Sequence, residues 1–196
     1  MAGKTEKPAA EAPALTEAEA VQRLAKMRAG LRHSFAAAAL AMIQLPRYRS
    51  QQLSDLEHLL LEPLLRDRVA FAYPKEVTEA GGFADQEIAG FAIWASVSPE
   101  VDTRIREQIA QGTFPIRLKG EDWTSGEIAW LFDVVAPGKD RAASVIAGFR
   151  QLVEGRQLHM HPLIARLVDR ETLEKMGARR AAGVETGAAG KTEPAT

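Results

Sequence analysis

The stretch Asp122-Trp-Thr-Ser-Gly-Glu-Ile-Ala-Trp-Leu-Phe-Asp-Val-Val-Ala-Pro137 decides how the rest of the chain is read. From Glu127 to Val135 it has the composition of a strand. Ile128, Trp130, Phe132 and Val134 alternate with Ala129, Leu131, Asp133 and Val135. Both sets are largely apolar, so the strand is expected to be central in a sheet covered on both faces. Asp122 to Gly126 reads as a tight turn ahead of it, with Ser125-Gly126 setting the turn geometry. Pro137-Gly138 ends it.

Working outward, Val69 to Tyr73 and Phe91 to Val97 also read as strands, joined by a glycine-containing connection. Val101 to Gln111 and Asp140 to Leu152 read as helices, Gln157 to Met160 as a further strand, and Ala165 to Met176 as a short closing helix. Near the amino end, Thr16 followed by Glu19 is a capping-box pattern, and Val21, Leu24, Met27 and Leu31 continue at helical spacing. Leu31 to Gln44 extends this helix past Gly30 or packs beside it, and Pro46 stops the run. A second helix is expected from Ser50 or Ser54, the latter paired with Glu57, with Pro63 interrupting it. Helices followed by strands alternating with helices indicate an α+β, mixed α/β domain.

Of 196 residues, 46% are hydrophobic, which suits one core of ordinary size. Residues 16–177 are expected to form that single domain. Residues 1–15 are rich in Ala, Lys, Glu and Pro, residues 178–196 repeat that composition with added Gly, and both carry too few large apolar side chains to offset the entropy of ordering. Both read as disordered tails. The 25 Lys and Arg balance 26 Asp and Glu, which argues against nucleic acid as the main partner. The chain has no cysteine, so thiolate chemistry, disulfides and thiolate metal sites are excluded. The amino terminus is not a secretory signal, and the longest apolar run, Phe35 to Ile43, is too short to cross a bilayer. A cytoplasmic protein is expected.

The pattern Asp122-Trp-Thr-Ser-Gly126, Trp130, Asp133 and Ala136-Pro137 resembles that of the RTX toxin-activating lysine acyltransferases, the hemolysin-activating type. The order upstream agrees: a first helix, a Pro-x-x-Arg turn at Pro46 to Arg49, a proline-containing helix and a strand bearing Trp94. The resemblance spans roughly residues 35–155. It implies a GNAT-like domain with a central, mostly antiparallel sheet flanked by helices. It implies transfer of a fatty acyl group from acyl carrier protein to the ε-amine of internal lysines in a protoxin. The partners would be acyl carrier protein and an RTX-type protoxin, with no tightly bound cofactor, and a homodimer is compatible with the pattern. A binding module that kept the fold without turnover is the alternative.

On the same resemblance the family's carboxylate falls on Asp133. The slot of its histidine, just before the turn's arginine, holds Tyr48. Arg49, Trp94, Ser125 and Gly126 are the corresponding candidates for binding substrate or acyl carrier.

The chemistry sets its own demands. Free lysine has a pKa of about 10.4, so a transferase must remove a proton or bind the scarce neutral amine. It must also stabilise the oxyanion formed on attack at a thioester. Asp133 in an apolar strand is a candidate to orient or accept that proton, or else a partner for a buried arginine or backbone group. Tyr48 is protonated near neutrality and suits a general acid protonating the thiolate, or else packs a turn. Arg47 reads as a solvated surface charge. His58 lies on the helix after Tyr48, where it is either a replacement base or a packing residue. His159 and His161 would project from one side of a strand without a visible third ligand, and no metal site is expected.

Overall fold

The computed structural model describes residues 16–73 and 88–167. Helix α1 runs unbroken over Glu17–Ile43. Its start is the expected capping box: Glu19 N–H donates to Thr16 Oγ1 at 3.4 Å and Thr16 N–H to Glu19 Oε2 at 2.9 Å. Gly30 sits in open space and does not break the helix. Pro46 then opens a 3-10 turn, Pro46–Tyr48, because its fixed φ suits a first helical position where no N–H is needed.

The next helical segment is less regular than its sequence pattern. A 3-10 turn, Leu53–Asp55, is followed by a π-helical turn, Glu57–Leu61, and by the short helix α2, Glu62–Leu65. Ser54 does not cap it; Gln52 N–H donates instead to Asp55 Oδ2 at 2.8 Å. Pro63 has no N–H to give, and the widened turn stands just ahead of it, with Glu62 N–H reaching Glu57 O.

Among the described residues four strands form one sheet in the order β1 (Val69–Ala72), β2 (Gly90–Val97), β3 (Ile128–Val135), β4 (Leu158–Met160). The pairs β1–β2 and β2–β3 are antiparallel, and β3–β4 is parallel. The parallel pair needs a long crossover, and helix α4, Lys139–Leu152, supplies it. Helix α3, Pro99–Ala110, starts at Ser98, whose Oγ accepts from Val101 N–H. The closing helix expected over 165–176 lies mostly outside the described residues. Within them only a 3-10 turn, Ile164–Arg166, is present.

The fold is thus mixed α/β, with a mostly antiparallel sheet between two helical layers. On one face α1, the Tyr48 turn, Leu59, Leu60, α3 and Trp123 pack on Ile93, Trp130 and Phe132. On the other, Ala142, Val145, Ile146 and Phe149 of α4 pack on Ala92, Trp94, Leu131 and Val134. No helix among the described residues is long and apolar enough to cross a membrane.

The strand alternation read from the sequence fails at one point. Ile93 pairs with Asp133 and its neighbour Trp94 with Leu131, so Phe132 is an extra residue on β3. This bulge shifts the phase of everything after it. Phe132 and Asp133 both border the α1 side, while Leu131 and Val134 both pack under α4.

Candidate active site

Asp133 is almost wholly buried, and four donors meet its two oxygens. Oδ1 accepts from Arg47 Nη2 at 3.0 Å and from the Val134 N–H at 2.7 Å. Oδ2 accepts from the Tyr48 hydroxyl and, at 3.4 Å, from Arg47 Nε. Arg47 Nη2 also donates to Val134 O at 2.7 Å, and its guanidinium lies 4.9 Å from the centre of the Tyr48 ring. A carboxylate offers about four acceptor positions, and here all are taken. Arg47 is therefore not the solvated charge its sequence context implied: the Pro46 turn carries it under β3, where it neutralises a buried anion.

Burial pushes the Asp133 carboxyl above its ordinary pKa, while Arg47, Tyr48 and the Val134 amide pull against that rise. Burial and the neighbouring carboxylate push the Tyr48 phenol well above its own ordinary value. Tyr48 thus keeps its proton and spends it on Asp133. A phenol so held is a poorer acid than a free one, so its part is to fix the carboxylate.

Asp133 also borders a narrow cleft with His58, Ile93, Phe114, Trp123, Phe132 and His161. The cleft holds about 20 Å³, room for roughly one water molecule. Two polar atoms in its lining residues, His58 Nδ1 and Trp123 Nε1, are buried with no partner among the described residues. Leaving a buried polar group unpaired costs about 1–3 kcal/mol, so such pairs of vacancies are uncommon in a settled core. His161 is partly satisfied: its Nδ1 accepts from Leu163 N–H at 3.1 Å. Burial lowers its pKa, which favours the neutral ring. Phe114 stands between Tyr48 and His161, with centroid distances of 6.3 and 6.4 Å.

The profile of the RTX toxin acyltransferase family matches residues 28–163, most of the chain and all of these side chains. The chain belongs to that family. None of the curated proteins matches it. Membership makes the chain an acyltransferase of the kind that activates RTX toxins, with a protoxin as substrate.

Against that family pattern, the structure brings together Asp133 and Tyr48 and sets the other candidates apart. Trp94 lies on the opposite face of the sheet, 5.7 Å from Phe149 between ring centres and under the Arg68 guanidinium at 4.3 Å. Ser125 accepts from Ser98 N–H at 2.9 Å and donates to Asp122 O at 3.0 Å. Gly126 N–H donates to Ser96 O at 3.2 Å, and a Cβ there would come within 2.5 Å of Val97 O. Both residues therefore bind the turn to the end of β2. Arg49 is exposed at the end of the Pro46 turn.

Sequence reasoning missed two residues that the structure places around Asp133, Arg47 at its carboxylate and Trp123 in the cleft. Arg47 was legible only through its distant partner. The unpaired N–H of Trp123 has no sequence signal. His159 stacks on Trp130 with centroids 5.2 Å apart and meets Arg106 Nη2 at 3.1 Å, away from His161 in the cleft. Among the described residues no cluster of His, Asp or Glu is arranged to hold a metal ion.

Proposed function

We propose that the protein transfers a fatty acyl group from the thioester of acyl carrier protein to the ε-amine of internal lysines in an RTX-type protoxin, in the cytoplasm. The thioester already carries an activated acyl group, so no bound cofactor is required. The observation that carries the reading is the cleft at Asp133, where the family signature coincides with unpaired buried polar atoms beside a space of atomic size. The Asp133 carboxylate is the fixed negative pole of a pair whose positive pole, Arg47, is within 3.0 Å of it. It favours a cation formed in the cleft during proton transfer. Tyr48 holds that pole in place.

The size of the cleft supports a second reading. A space for one water admits no acyl chain, which suits a module that binds acyl carrier protein or protoxin without turnover. Incubation with acyl carrier protein loaded with fatty acid and an RTX-type protoxin separates the two. The transferase gives a lysine-acyl mass increment on the protoxin. Complex formation with no increment on any lysine removes the transferase reading and leaves the module.

A further inference from the structure

Resting on the acyl-transfer reading, we propose that His58 is the general base of this protein, in place of a histidine at position 48. The other candidates around the cleft are committed elsewhere. Asp133 has no free acceptor position, because Arg47, Tyr48 and Val134 fill them. Tyr48 donates its only proton to that carboxylate. His161 accepts from Leu163 N–H through Nδ1, so its neutral ring carries hydrogen on Nε2 and is a donor there. Among these groups His58 Nδ1 alone is a buried, unpartnered nitrogen that can accept, in the tautomer that carries hydrogen on Nε2.

The local fold explains how His58 is held. It lies in the π-helical turn Glu57–Leu61, which stands ahead of Pro63. Its neighbour Leu59 is part of the core and lines the same cleft. His58 Nδ1 has no hydrogen-bond partner among the described residues and is not committed elsewhere. An ε-amino group is close to water in size, matching the space of about 20 Å³ beside it.

The division of labour follows from donor and acceptor character. With hydrogen on Nε2, the His58 ring carries its lone pair on Nδ1; the lysine enters as the neutral amine, its first proton left to solvent, and His58 accepts the second proton, which the nitrogen sheds as the amide forms. The lysine nitrogen forms a bond to the thioester carbonyl carbon, and the C–S bond breaks. The departing thiolate takes the proton from His58, so the protein ends unchanged. Trp123, a lining residue of the same cleft, has an Nε1–H that is a donor only and unpaired. With His161 it supplies N–H groups for the oxyanion.

Single-turnover transfer from loaded acyl carrier protein to protoxin tests this in wild type, His58→Gln and His58→Ala. Both variants are expected to lose about 100-fold or more in rate, with a small change in KM. The acidic limb of the wild-type pH–rate profile should vanish, and free imidazole should restore part of the His58→Ala rate. His33→Gln, at an exposed histidine on α1, should transfer at the wild-type rate. Folded His58→Gln working at the wild-type rate and pH profile overturns the inference and leaves the acyl-transfer reading standing. An inactive wild type overturns both. A test without variants is the histidine 15N spectrum of the wild type titrated with an alkylamine. A shift of the His58 Nδ1 resonance supports the assignment, and no shift at saturation rejects it.

Discussion

The hydroxyl of Tyr48 donates to the carboxylate of Asp133 across a separation of 85 positions in the chain, inside the core. The bond joins the turn after α1 to β3 and sets the depth at which that turn sits. Tyr48→Phe removes the donor and leaves one carboxylate position unpaired without altering the ring. Expected is a loss of about 1–3 kcal/mol in urea unfolding, with transfer reduced but measurable. A phenylalanine variant as stable as wild type would show the bond to be unimportant.

Arg47 and Asp133 form a buried ion pair, and breaking one half strands the other. Arg47→Met should cost about 3–5 kcal/mol, because the carboxylate remains buried without its cation. Replacing both residues with apolar ones should recover much of that loss while abolishing transfer. A double-mutant cycle measures the coupling. Additive losses would contradict the pairing.

Stability should fall as pH drops below neutrality, and His161 is one cause. Burial lowers the pKa of His161 from its ordinary 6.5, so the unfolded chain takes up its proton first as pH falls. His159 is lowered in the same direction by burial and by Arg106. Their contribution is present above about 6.5 and lost as pH falls through the lower folded values. Asp133 acts oppositely in a more acidic window: its folded pKa is raised, so its titration favours the folded state below the ordinary value of 3.8 and loses that benefit as pH rises through the folded value. Chemical denaturation between pH 7 and 5 should give a slope that His161→Asn flattens.

Gly126→Ala separates structural from binding roles in the turn before β3. The added methyl would meet Val97 O at 2.5 Å and Ser98 N at 2.7 Å, both backbone atoms that cannot move independently. About 1–3 kcal/mol of destabilisation is expected, with the folded fraction keeping its KM for acyl carrier protein. A raised KM at unchanged stability would instead place Gly126 in the binding surface.

Much of this architecture is legible in the residues themselves. The Thr16–Glu19 cap, the strands around Phe91 and Trp130 and the interruption at Pro63 follow from local rules that tertiary contacts did not override. The site was legible at Asp133, a lone carboxylate in an apolar strand, and at Tyr48 through the family pattern. The facing of Asp133 was not. A strand apolar on both sides carries no phase information, so an inserted residue leaves no trace in its alternation. Arg47 looked like any turn arginine because its partner stands 86 positions away. Trp94 misled because β2 is also apolar on both faces: its own unbroken alternation puts Ala92 and Trp94 under α4, while Phe91, Ile93 and Ala95 face the other side.

That single surplus residue has a consequence for how such a centre can be transplanted or lost. Drawing Phe132 into the regular ladder, so that the bulge closes with no residue removed, would restore plain alternation and turn the carboxylate beneath α4, away from Arg47, Tyr48 and His58 alike. Every side chain of the constellation could then survive in the gene while the constellation itself ceased to exist. What is inherited here is a register as much as a set of chemical groups.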